Sequence, residues 1–301
     1  MTAPSISCVK QSQRVRMLST SARRTTYRKR VQKITTPANP MDKFPVRNAD
    51  EVKRGVCLAV YGPAGCGKTT LAASAEDSEM YGRPVLLVDA EGGSSAVADR
   101  KTVQVMDVTD WKTIESFTQT AIRMGDQFPY KTVVFDNLSE IVNMLVQHVT
   151  GDNETPSQPE WGKVTLAFLK FIRDWRELSR RGTVNVIYIA WEEEVRDEVG
   201  RAKYNLAFTP RIRRDFPGII DIIAYLSVNE KSKDKYERTL DFAPSPRTVS
   251  KFRRAPTDAA LSIPYQITYD LDHLPMGDLL AVLRGGEQWP SNKYAAKSAN
   301  K

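Results

Sequence analysis

The chain of 301 residues has only three cysteines and two histidines. Cys8, Cys57 and Cys66 are odd in number and lack metal-ligand spacing, which excludes a disulfide framework or zinc cluster and points to a reducing setting. His148 and His273 stand alone, so neither a His-based metal site nor a nucleophilic triad is supported. No apolar run approaches the ~18 residues that a membrane span needs, and there is neither a secretory h-region nor an internal repeat. Acid is missing from residues 1–41, which hold nine of the 44 Lys and Arg; the remainder carries 35 basic against 36 acidic residues. The net charge of +8 therefore belongs to the first segment, and the body is near neutral.

That first segment, 1–43, is rich in Ser, Thr and Arg and poor in large apolar residues, the composition of a disordered tail. A basic arm for DNA, an organellar transit peptide, and an extension of a reading frame that starts at Met41 are the other readings. An apolar content of 41% provides an ordinary core for one domain over 44–289, with a polar tail at 290–301.

Short apolar, β-branched runs alternate with helical periods. Strands are expected at 56–61, 84–89, 103–106, 131–136, 183–190 and 219–228, and helices at 68–77, 111–124, 138–149 and 160–180. In the last, Trp161, Val164, Phe168, Ile172, Trp175 and Leu178 mark one buried face. Continuous apolar strands interleaved with helices predict an α/β fold, a mostly parallel sheet covered on both sides. Runs at 235–242, 247–254 and 264–269, joined by Pro-rich turns, predict a short antiparallel C-terminal extension.

The strongest motif follows the first strand: Gly62, Pro63, Ala64, Gly65, Cys66, Gly67, Lys68, Thr69 and Thr70 form a complete P-loop. Its glycines let successive N–H groups turn inward around phosphate oxygens, Lys68 reaches the β- and γ-phosphates, and the Thr69 hydroxyl is placed for Mg²⁺. The helix that starts here adds its positive N-terminal end. Cys66 is read as a variable position of the loop, not a nucleophile. The expected ligands are ATP and Mg²⁺.

Lys131-Thr-Val-Val-Phe-Asp136 has the Walker B form, a buried strand ending in a carboxylate, and places Asp136 at the metal; capping of the following helix is its alternative role. In many P-loop ATPases the catalytic glutamate directly follows that aspartate, but here the position is Asn137. Glu91, at the end of the strand in Leu-Val-Asp89-Ala-Glu91-Gly-Gly, is the candidate base for the attacking water, with Asn137 assisting in positioning.

In this order and spacing, over residues 54–255, the chain resembles the RecA-like recombinase ATPases. More narrowly, Tyr-Gly-Pro-Ala-Gly-Cys-Gly-Lys-Thr-Thr-Leu-Ala-Ala-Ser-Ala followed by Asp-Ala-Glu-Gly-Gly is similar to small phage-encoded RecA-like ATPases of AAA type. That group includes single-strand annealing proteins of phage recombination. The resemblance implies a three-layer RecA-like P-loop NTPase with Glu91 as catalytic base. It also implies single-stranded DNA as partner, a homo-oligomer, a possible single-strand-binding protein partner, and work in the host cytoplasm. DNA loops in that family follow the Walker B strand and the next one, here 150–159 and 192–217. The second carries Arg201, Lys203, Arg211, Arg213 and Arg214, with Tyr204 and Phe208 between them as stacking faces; a basic hairpin packed on a neighbour is the alternative. The family also inserts basic residues into a neighbour's ATP site, a role that falls on Lys251 and Arg253. Relatives often end the strand at 183–190 with a His or Gln that senses the γ-phosphate, and here Trp191 departs from that pattern.

Two other readings stand beside this one: a P-loop kinase of a small molecule or nucleotide, with 196–214 as its Arg-rich lid, and a DNA-annealing scaffold that holds ATP as a structural ligand. No C-terminal helical bundle with a sensor arginine marks an AAA+ motor.

Overall fold

The computed structural model describes residues 43, 44, 46, 48, 54–151, 155–182, 184–196, 199–233 and 235–294. The expected tail at 1–43 lies outside them apart from Lys43. Ten strands share one sheet: β1 (Cys57–Gly62), β2 (Val85–Asp89), β3 (Val103–Asp107), β4 (Thr132–Asp136), β5 (Asn185–Arg196), β6 (Ala202–Leu206), β7 (Ile222–Ser232), β8 (Lys235–Asp241), β9 (Lys251–Phe252) and β10 (Gln266–Tyr269). Their order is β10-β8-β7-β1-β5-β4-β2-β3, with β6 on β5 and β9 on β7. From β7 to β3 all neighbours are parallel, whereas β8, β9 and β10 run antiparallel.

The helices are α1 (Lys68–Ala73), α2 (Trp111–Met124), α3 (Leu138–Thr150), α4 (Gln158–Arg180), α5 (Pro210–Ile219), α6 (Asp258–Leu261), α7 (Met276–Gly285) and α8 (Ser291–Tyr294). Alternate β1 residues feed opposite cores. Cys57, Ala59 and Tyr61 face the layer of α2, α3, α4 and α5, and Leu58 and Val60 face that of α1, α6 and α7. The result is a three-layer P-loop NTPase fold with an antiparallel C-terminal extension. Aromatics fill the first core: Trp175 is fully buried, with its ring 5.1 Å from Phe135 and its indole N–H donated to Thr118 Oγ1 at 3.0 Å. Among the described residues no helix is long and apolar enough to cross a membrane.

Helix starts follow local chemistry. Asp110 caps α2 by accepting from the Thr113 N–H at 3.0 Å, and the Glu160 carboxylate accepts from both the N–H (2.7 Å) and hydroxyl (2.6 Å) of Ser157 ahead of α4. Four sequence expectations need revision. The strand expected to stop at 190 continues to Arg196, because β6 pairs with its charged second half from Glu192 to Arg196. The stretch from Pro210 is helix, with Ile212, Phe216 and Ile219 buried on one face. The polar tail expected from 290 begins with α8, held by Trp289 stacked on Tyr294 at 4.9 Å and by Lys293 donating to Asp278 at 2.7 Å. Of the runs expected at 247–254, only Lys251–Phe252 is strand.

Candidate active site

Gly62 ends β1 level with Trp191 of β5. Beyond it the loop turns through Gly65 at φ +72° and Gly67 at φ +95°, conformations that side-chain-bearing residues rarely adopt. The loop packs tightly beneath: a Cβ on Gly62 would stand 2.2 Å from the Leu226 carbonyl oxygen. Among the described residues no side chain caps the start of α1, which leaves its first amides for a ligand. Lys68 Nζ donates to the carbonyls of Gly62 (2.9 Å) and Pro63 (2.8 Å), holding the ammonium within the loop. Burial is the largest influence on the Cys66 thiol and pushes it up, with Lys68 pulling the other way; it stays protonated and unreactive.

Parallel pairing sets Asp89 of β2 directly beside Asp136 of β4, and the Ala90 N–H donates to the Asp136 carbonyl at 2.7 Å. Asp89 then organises the turn that follows. Its carboxylate accepts from the amides of Glu91 (3.1 Å), Gly92 (2.7 Å), Gly93 (3.2 Å) and Ser94 (2.9 Å). Burial raises its pKa, but these hydrogen bonds, led by Ser94, outweigh it and hold the carboxyl below the usual range.

Glu91 is thereby brought to the end of β4, where the Asn137 amide donates to its carboxylate. The other end of the same amide, Asn137 Oδ1, accepts from the Glu140 N–H at 2.8 Å and caps α3. Capping, the alternative role considered for Asp136, thus falls to Asn137. Asp136 is freed for Thr69, whose hydroxyl donates to it at 2.5 Å. Desolvation pushes the Asp136 carboxyl up to about 6; Thr69 and Lys68 oppose the rise, and Glu91 and Asp89 add to it. The donor set fits Mg²⁺, which takes one or two carboxylates with hydroxyl, phosphate and water oxygens: Thr69 Oγ1 and Asp136 Oδ2 are hard oxygens in contact at the mouth of the loop.

A cleft of about 470 Å³ joins these groups. Gly65, Lys68, Thr69, Thr70, Glu91 and Asp136 line it together with Trp191, Arg238 and Leu271. Sequence reasoning did not find the last two. Arg238 reaches the loop from β8, and Leu271 from the turn after β10; neither lies in a motif, and only the sheet order brings them here. Trp191 lines the cleft and donates its backbone N–H to Ser139 Oγ at 3.2 Å.

The basic residues expected to meet DNA distribute over two elements: Lys203 on β6, and Arg211, Arg213 and Arg214 on α5, with Arg201 just before β6. Arg213 pairs with Glu193 and donates to the Phe208 carbonyl at 2.8 Å, and Arg214 pairs with Asp215 at 2.8 Å. Phe208 is corrected. It is 4% exposed, packed on Phe168 and Phe216 in the core, and offers no face to a base. Tyr204 stacks on Tyr225, whose hydroxyl donates to Glu192 at 2.9 Å. In the other expected DNA loop, 152–154 lie outside the described residues and 158–159 belong to α4.

Lys251 and Arg253 sit at the end of the sheet opposite their own phosphate loop. The Lys251 ammonium donates to the carbonyls of Pro217 (2.6 Å) and Ile220 (2.7 Å), and Arg253 donates to Asp221 at 2.9 Å. Asp221 also pairs with Arg176 at 2.9 Å, so both cations are engaged within the chain.

A family model described as an AAA domain matches residues 54–254, two thirds of the chain, from just before β1 to just beyond β9. No curated protein matches the chain.

Proposed function

The chain belongs to the AAA domain family, and from that membership together with the site geometry we propose that it is a Mg²⁺-dependent ATPase with a RecA-like core. It works on single-stranded DNA in recombination or replication, as a homo-oligomer in the cytoplasm. The observation that carries the reading is the Asn137–Glu91 contact beside Thr69–Asp136: one carboxylate is kept next to a metal-type oxygen pair, in the turn that follows the strand after the P-loop helix.

The residues divide the chemistry. Amides of the loop and Lys68 bind the phosphates, and Thr69 with Asp136 holds Mg²⁺, which when bound neutralises phosphate charge. Glu91 accepts the proton of the attacking water as the new oxygen–phosphorus bond forms and the bond to the bridging oxygen breaks, leaving ADP and phosphate. Asn137 positions Glu91 and removes one direction of freedom from it. Positioned base catalysis of this kind contributes about 10²–10⁴-fold.

The DNA part rests on the basic residues of β6 and α5 that follow Trp191 out of the cleft. ATP hydrolysis measured with and without single-stranded DNA, on wild type and Lys68→Ala, tests both parts. The reading expects DNA-stimulated turnover that Lys68→Ala abolishes, and DNA affinity that falls steeply with salt. Turnover without DNA stimulation, and no DNA binding in low salt, would remove the DNA assignment. Consumption of ATP only with an added small-molecule acceptor would make the protein a kinase. Glu91→Gln separates the third reading: it stops a working ATPase while ATP still binds, and leaves an annealing scaffold unaffected.

A further inference from the structure

One cation reaches the phosphate loop from outside the P-loop unit. Arg238 Nε donates to the carbonyl of Cys66 at 3.0 Å, across 172 positions of sequence. The guanidinium lies so close to Gly67 that a Cβ there would stand 3.2 Å from Nε. Pairing with Val228 of β7 and Tyr269 of β10 fixes its strand on both sides. The same residue lines the cleft that holds Lys68, Thr69, Glu91 and Asp136.

The bond to Cys66 uses one of the five guanidinium donors, and the η-nitrogens keep the other four. Among the described residues no carboxylate pairs with Arg238. A half-buried, permanently charged group without a counter-anion, tethered beside a phosphate-binding loop, is matched to an anion that the loop itself binds. The other two basic candidates, Lys251 and Arg253, have their donors on Pro217, Ile220 and Asp221.

We propose that Arg238 is a catalytic residue acting in cis: its η-nitrogens contact the phosphate chain of the nucleotide bound over 62–70. This rests on the ATPase reading above. When the terminal phosphorus leaves the bridging oxygen, the electron pair goes to ADP and the water proton to Glu91. Arg238 and Lys68 from the same chain face the charge that develops on the phosphates. Each protomer then carries a complete set of cations, and oligomerisation is not required to build the hydrolytic site.

The test is steady-state ATP hydrolysis by the full chain as wild type, Lys68→Ala and Arg238→Ala, with thermal melting as a check on folding. Arg238→Ala is expected to lose about 10³-fold or more in kcat, the effect of removing an arginine from a phosphoryl-transfer site. Millimolar guanidinium should restore turnover in Arg238→Ala at least tenfold and leave Lys68→Ala dead, because a free cation replaces charge but cannot restrain the loop. Mixing Arg238→Ala with Lys68→Ala should give no activity beyond the sum of the two. Three results would each overturn the proposal: turnover of Arg238→Ala within threefold of wild type, a loss that guanidinium does not rescue, or recovery on mixing, which would put the arginine in a neighbour's site. Absence of hydrolysis by wild type would instead overturn the ATPase reading itself.

Discussion

Replacing Asp136 with asparagine should make the nucleotide-free protein more stable at neutral pH, although it removes a site residue. The carboxyl is 3% exposed, and burial moves its pKa from the usual 3.8 to about 6. In the unfolded chain the proton leaves near 3.8; in the folded chain it is held until about 6. Between those values the native state binds more protons than the unfolded one, so stability falls as pH rises through the window and stays reduced above it. A gap of about 2 pH units at ~1.36 kcal/mol each gives about 3 kcal/mol. Asparagine has the same shape, keeps an oxygen for the Thr69 hydroxyl, and carries no charge to desolvate. Asp136→Asn should therefore gain about 3 kcal/mol at pH 7.5 in EDTA, about 6–12 °C in Tm for a domain of this size, and nothing at pH 3.5. Urea or thermal unfolding of both proteins between pH 3.5 and 8 measures the difference directly. Equal or lower stability of the variant at pH 7.5, or a gain that does not shrink toward acid, refutes the reasoning. Adding Mg²⁺ and ATP should reverse the order, since only the wild type offers the metal the Asp136 carboxylate beside Thr69.

Asn137→Ala removes the α3 cap and the support of Glu91 together; chemical denaturation should show a loss of about 1 kcal/mol, and hydrolysis should fall in kcat more than in KM. Trp175→Ala empties the centre of the aromatic core and should cost about 3–5 kcal/mol, read as a lower urea midpoint with an unchanged slope. Gly62→Ala drives a methyl group into the Leu226 carbonyl; loss of soluble folded protein on expression is expected, whereas Gly93→Ala, which meets nothing within 4 Å, should express normally.

The site was legible in sequence where the backbone itself is the constraint. The glycines at 62, 65 and 67 and the carboxylates Asp136 and Glu91 at or just beyond strand ends stand out through spacing, whereas the part Asp89 plays in shaping the turn before Glu91 emerges only from its hydrogen bonds and its parallel pairing with Asp136. Arg238 was not legible, because its place depends on β8 packing beside β7, far from the loop in sequence. The α5 helix was hidden by Pro210 and Pro217 and by its arginines, which made an amphipathic segment read as a basic loop. Three consecutive glutamates from Glu192 suggested that β5 had ended. In the fold they are paired by β6 at the rim, where charge is tolerated, and the strand runs on. Phe208 shows the reverse error: an aromatic between arginines looked like a surface stacking face, yet apolar burial decided its position.

The place of β1 in the sheet has a consequence for synthesis. Its two neighbours are β5 and β7, with Cys57 opposite Val186 and Leu58 opposite Ile222. A nascent chain emerging from the ribosome therefore presents the phosphate-loop strand with both edges bare until the fifth and seventh strands arrive. At 5–20 residues per second, that interval is on the order of ten seconds. Through it the apolar stretch Cys57-Leu-Ala-Val-Tyr61 has no native partner, which makes this segment a natural client for a chaperone, and a fragment that stops before β5 can pair β4, β2 and β3 but cannot join β1 to them.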